Sequence, residues 1–151
     1  AQFESELVQF LAEAEQRKPF CYQTRLAYLG VPPIYTNLYE FLNQFEGDVV
    51  FNEVQRQFSM PPKSRDIIEQ YLSYTYPYRI SQRLDDILSQ LEQRQIHGVI
   101  SYTQAFCHRQ IDNTLLRKFI DLPFLVLEGD RPGPIDSRTA LRLESFLDML
   151  C

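Results

Sequence analysis

Cysteine is scarce and badly placed for cross-linking. Cys21, Cys107 and Cys151 are the three in 151 residues, too few and too scattered for a disulfide framework, and an odd count fits a reducing compartment. A cytoplasmic protein is the expectation. Basic residues are outnumbered, 15 Lys and Arg against 20 Asp and Glu, for a net charge of −5. With no basic stripe, the chain is not expected to track nucleic-acid phosphates. No apolar run approaches the roughly 18 residues of a membrane span, and no charged segment leading into an apolar core opens the chain, so no membrane partner is expected. The patterns CxxC, HxxxH, GxGxxG and the P-loop are missing, which argues against a complete zinc site or nucleotide cradle within these residues. There is no internal repeat and no low-complexity segment.

What is present suits one domain able to bury a real core, with 44% hydrophobic and 23% charged residues. The chain starts at Ala1 without Met and runs straight into a helical pattern. Residues 1–151 are therefore expected to be a single α/β domain, a fragment of a longer multidomain protein.

Phe3, Leu7, Phe10, Leu11 and Ala14 recur at helical spacing, predicting an amphipathic helix over 3–16 that Lys18-Pro19 ends. RLAYLG (25–30) reads as strand one, closed by Gly-Val-Pro-Pro. Leu38, Phe41, Leu42 and Phe45 mark a helix with Gly47 as its left-handed cap, and DVVF follows as strand two. VQRQFSMPPKS reads as an exposed loop, and Ile67, Ile68, Tyr71 and Leu72 as a short helix. A long helix over 79–95 carries Ile80, Leu84, Ile87, Leu88 and Leu91, and HGVIS is strand three. Helix 105–119 precedes strand four, PFLVLE (123–128), and Ser137 is the expected N-cap of a last helix.

Short apolar strands alternating with amphipathic helices mean a parallel sheet covered on both faces. The expected fold is α/β, a three-layer, flavodoxin-like four-stranded parallel sheet in the order 2-1-3-4. In that order the chain reverses direction between strands one and three, and open α/β sheets bind ligands outside the carboxyl ends of the strands at such a point. The bordering loops are GVPPI, beginning at Gly30, and SYTQAFC, ending at Cys107.

Cys107 is placed by this reading in the first turn of a helix, where the dipole suits a nucleophile or a metal ligand; a small buried apolar residue is the plainer alternative. His108 is adjacent, but neighbours on a helix point about 100° apart, which disfavours a catalytic Cys-His pair. Cys21 and Cys151 border no crevice and read as structural. Asn52 and Glu53 end strand two and Arg56 follows; with Gly30 they are the substrate-side candidates, against the plainer role of strand terminators. Glu128 and Asp130 after strand four could bind a cation or simply solvate a turn. Tyr71, Tyr74, Tyr76 and Tyr78 could stack on a planar ligand, or pack a lid.

Taken together, HGVISYTQAFCHRQ, FIDLPFLVLEGDRPGP and SRTALRLESFLDML resemble the carboxyl-terminal region of the 2-hydroxyacyl-CoA dehydratase and benzoyl-CoA reductase family, and GDVVFNE is similar to a strand of the same domain. The resemblance covers the chain from about residue 25 and is most specific in its order: strand, Cys, helix, P-x-L-x-L-E-x-D, then an Arg-rich closing helix. It implies an oxygen-sensitive iron-sulfur enzyme of two related subunits, each holding a 4Fe-4S cluster through cysteines of several domains, fed electrons by an ATP-dependent activator and acting on an acyl-CoA by radical dehydration or reduction. Cys107 matches the cluster cysteine of this region. Two departures stand out: NEVQRQFSMPP lacks the cysteine many members carry there, and the upstream domains are absent from these residues. One thiolate cannot hold a cluster that takes about four ligands, so no cofactor and no activity are expected of this chain alone. The alternative is a binding or docking domain derived from that family. A flavin carrier is disfavoured because GVPPIYTN lacks the Ser/Thr/Gly richness of a phosphate cradle.

Overall fold

Strands β1 (Thr24–Gly30), β2 (Gly47–Asn52), β3 (Gly98–Thr103) and β4 (Phe124–Glu128) form one parallel sheet in the order β2-β1-β3-β4, the order expected from the sequence. The computed structural model describes residues 2–18, 23–59, 66–72, 74 and 80–150. Cys21, Cys151, Tyr76 and Tyr78 fall outside them. The helices are α1 (Gln2–Glu15), α2 (Leu38–Gln44), α3 (Glu53–Phe58), α4 (Ile67–Leu72), α5 (Ile80–Gln93), α6 (Arg109–Phe119) and α7 (Ser137–Leu150). Among the described residues, no helix is long and apolar enough to cross a membrane.

The period-2 alternation of a strand sends successive side chains to opposite faces, and here it builds two cores. Leu26, Tyr28, Ile100, Tyr102 and Leu127 pack with Leu38 and Leu42 of α2 and with Leu143, Phe146 and Leu147 of α7. Ala27, Leu29, Phe51 and Val99 pack on the other face with Ile87 and Leu91 of α5 and Leu116 of α6. The inner strand β3 is buried at all its positions, Ser101 and Thr103 included, which is why its sequence shows no alternation between a core face and a solvent face. A bulge in the β1–β2 register pairs Leu26 with Val49 but Ala27 with Phe51, advancing β2 so that Asn52 lies opposite Tyr28.

Four local expectations are corrected. The stretch after β2 is not wholly a loop: α3 forms because the Asn52 side chain accepts the Gln55 N–H at 3.1 Å as an N-cap. Its buried face is Glu53, Val54 and Gln57, too polar to register as a hydrophobic period. Glu46, not Gly47, takes the left-handed turn after α2, with φ 58°, and Gly47 opens β2. Asp136, not Ser137, caps α7, its Oδ1 accepting the Thr139 N–H at 2.8 Å; that bond is the main reason the carboxyl is held below its ordinary range, with the Thr139 hydroxyl and Arg138 adding and desolvation opposing. Finally, α6 starts at Arg109 rather than residue 105, because Phe106 adopts φ 60°, a conformation that interrupts a right-handed helix. Cys107 thus sits in the turn before the helix, with its N–H on the Gln104 carbonyl.

Candidate functional site

The carboxyl ends of β1 and β3 lie side by side, Gly30 paired with Tyr102. Gly30 has φ +104°, and a Cβ there would stand 2.1 Å from the Tyr102 carbonyl oxygen. A side chain is therefore excluded twice over, by conformation and by contact. The chain leaves β1 held by Val31 N–H on the same carbonyl, 3.1 Å, and by the Tyr28 hydroxyl donating to Val31 O, 2.7 Å.

Beneath this bend, three tyrosines tie the loops to the core. Tyr102 is stacked against Tyr28 at 6.4 Å and edge-on to Tyr35 at 5.7 Å between ring centroids. The Tyr102 hydroxyl donates to Gly129 O at 2.8 Å and that of Tyr35 to Glu128 O at 3.0 Å. Burial pushes the Tyr28 and Tyr102 phenols upward from their ordinary value, so both remain neutral hydrogen-bonding groups at neutral pH.

On the opposite face, Glu53 is fully buried. Its Oε2 accepts the Gly30 N–H at 3.1 Å, and both of its oxygens accept from Arg83, one of them at 2.8 Å. Arg83 is 1% exposed and also donates to Asp112 of α6 at 3.0 Å, beside which Arg109 lies at 3.6 Å. One guanidinium therefore joins the mouth of β1 to the helix that follows Cys107. The pairing also explains how charges sit in the interior, since each is matched by an opposite charge and by hydrogen bonds.

The other candidates are distributed as follows. Cys107 is a free thiol of intermediate exposure, in the β3–α6 loop whose Ala105 N–H is held by Asp130 Oδ1 at 2.6 Å. Asp130 thus braces that loop. His108 occupies the N-cap position of α6 without a side-chain cap bond, and Phe106 beside it is fully exposed. The Asn52 amide nitrogen donates to the Tyr39 hydroxyl at 3.1 Å. Arg56 makes a two-bond pair with Asp86, 3.1 and 2.8 Å. Asn52 and Arg56 nevertheless line one cavity of about 380 Å³ with Gln55, Ser59 and Arg94. Tyr71 lies on α4 and Tyr74 just beyond it, its N–H on the Tyr71 carbonyl at 3.1 Å. Among the described residues, no three His, Cys, Asp or Glu side chains come together as a metal site.

Sequence reasoning missed Arg83 and Asp112. The signal for Arg83 was a charge at position i+3 and i−4 of the α5 apolar stripe, between Ile80 and Ile87. Its partner Glu53, 30 residues earlier, was visible only as a strand terminator.

A family model described as 2-hydroxyglutaryl-CoA dehydratase, D-component, matches residues 1–150. No curated protein matches the chain.

Proposed function

The chain belongs to the 2-hydroxyglutaryl-CoA dehydratase D-component family, and from that membership we propose that it is the carboxyl-terminal α/β domain of a dehydratase-like iron-sulfur protein. In this reading Cys107 supplies one thiolate to a 4Fe-4S cluster used in radical dehydration or reduction of an acyl-CoA thioester. The observation that carries it is a free, part-exposed thiol at the carboxyl edge of β3, beside the switch point where open α/β sheets place ligands.

The donor set fits one corner of a cluster and no more. A 4Fe-4S centre takes about four ligands, mostly thiolates, and the described residues bring no three donors together. The remaining ligands would come from upstream domains of the same protein, with a related second subunit and an ATP-dependent activator as partners, in the cytoplasm where thiols stay reduced. No chemical step is assigned to this chain alone. Its own contribution is positional: Gly30 shapes the wall facing the loop of Cys107, and Glu53 holds that wall through the Gly30 amide rather than by touching substrate. Asn52 and Arg56 are proposed to border the substrate through the cavity they line.

The second reading, a non-catalytic docking domain, is favoured by the exposed apolar residues of α1, among them Phe3 at 77% and Val8 at 62%. Thiol footprinting separates the two. Anaerobic reconstitution of the complete protein with iron and sulfide should slow alkylation of Cys107 by iodoacetamide about tenfold or more, since a bound thiolate is no longer a free nucleophile. Chelation should restore it. Equal labelling with and without reconstitution would leave the docking reading.

A further inference from the structure

Helix α6 turns a polar flank toward β4, the outer strand of the sheet. Gln110, Asn113, Thr114 and Arg117 are spaced i, i+3, i+4 and i+7, so they share one side of the helix. With Val126 and Glu128 of β4 they line a cavity of about 570 Å³. Asn113 forms its floor and is 5% exposed. Its Oδ1 accepts the Ser101 hydroxyl at 2.7 Å, which turns the amide nitrogen away from that hydroxyl, and Nδ2 makes no hydrogen bond within the chain. Thr103, two residues beyond Ser101 and so on the same face of β3, is fully buried, and its hydroxyl is likewise unbonded. It pairs with Glu128 across the β3–β4 ladder, which sets it beside the cavity. Buried polar groups without a partner are rare in folded proteins, and each calls for an explanation.

The charges above this floor are free as well. Arg117 and Glu128 are exposed, and neither side chain forms an ion pair among the described residues. The cavity where α7 begins, lined by Tyr35 and Thr139, is different: both of those hydroxyls are already bonded, so no buried group there lacks a partner.

A ligand for the α6–β4 cavity must offer an acceptor to the buried amide, an anion to the guanidinium and a cation to the carboxylate. A carboxylate can meet Arg117 in a forked pair and also accept the Asn113 N–H. An ammonium can meet Glu128. A phosphate or a dicarboxylate would set surplus negative charge against Glu128. A metal ion would find one carboxylate, since among the described residues no three His, Cys, Asp or Glu side chains gather.

We propose that the α6–β4 cavity binds a small zwitterion, a free amino acid, with its carboxylate on Arg117 and Asn113 Nδ2 and its ammonium on Glu128. The inference is independent of the dehydratase reading, because it uses neither Cys107 nor the wall shaped by Gly30.

The test is calorimetric titration of the complete protein that contains this chain, with the common L-amino acids as probes. At least one is expected to bind with a dissociation constant below about 1 mM. Arg117→Gln and Glu128→Gln lie at exposed positions, where folding is little affected. Each should weaken that binding about tenfold or more, because each leaves one pole of the ligand without its counter-charge. Two analogues of the bound amino acid should bind about tenfold or more weaker to the unaltered protein: the 2-hydroxy acid, which keeps the carboxylate and loses the ammonium, and the amide, which does the reverse. No binding by any of the probes would overturn the proposal. So would binding indifferent to Arg117→Gln or to Glu128→Gln, which would place the amino acid elsewhere in the protein. A hydroxy acid bound as tightly as the amino acid would overturn it too, since Glu128 would then recognise no ammonium.

Discussion

Gly30→Ala is expected to cost about 4 kcal/mol or more, placing it among the exceptional single substitutions, and to lower the melting temperature by about 10 °C or more in a chain of this size. Two effects add. An L-residue at φ +104° carries about 1–3 kcal/mol of backbone strain. The new methyl would also stand 2.1 Å from the Tyr102 carbonyl, a backbone atom fixed in the β1–β3 ladder, so relief requires the sheet end to open. Gly133→Ala separates the terms, because Gly133 has φ +151° but nothing within 4 Å of its built Cβ. It should show the conformational cost alone. Thermal unfolding followed by circular dichroism checks both; a Gly30→Ala transition within a degree or two of wild type would mean that the β1 exit is not held as described.

Arg83→Met comes next. The substitution keeps the aliphatic stem but leaves Glu53, fully buried, without its counter-charge. Breaking one side of a buried pair typically costs about 3–5 kcal/mol, whereas neutralising both sides is often tolerated. Glu53→Gln combined with Arg83→Met should therefore recover most of the loss, since the Gln carbonyl can still accept the Gly30 N–H that Glu53 now accepts at 3.1 Å. Denaturant titration of the two single variants and the double variant gives the coupling directly. A double variant as unstable as the sum of the singles would show that Arg83 and Glu53 act separately.

The parallel sheet was legible because β1 and β3, buried on both faces, carry short apolar runs, Leu26–Leu29 and Val99–Ile100, with no solvent-facing alternation, while the helices between them keep a 3.6-residue period. Helix α3 was not, because the residues it buries include Glu53 and Gln57, and polar burial leaves no hydrophobic period. Cys107 was placed at the right end of the right strand but two residues on the wrong side of a helix boundary. The left-handed turn at Phe106 decides that boundary, and a phenylalanine gives no warning of it. The periodicity of α1 showed an apolar face without showing what covers it, since a pattern within one helix carries no information about its partner. The join between Gly30, Glu53, Arg83 and Asp112 spans residues 30 to 112 and arises only when the sheet order brings them together.

The assignment of Cys107 is tested most directly by anaerobic analysis of iron and acid-labile sulfide in the complete protein that contains this chain, with and without Cys107→Ser. A serine at a half-exposed loop position leaves the fold intact while removing the thiolate. The expected result is a clear loss of both iron and sulfide, with the cluster-free forms of wild type and variant melting at the same temperature. Full retention of iron and sulfide in the variant would contradict a role for Cys107 as a cluster ligand.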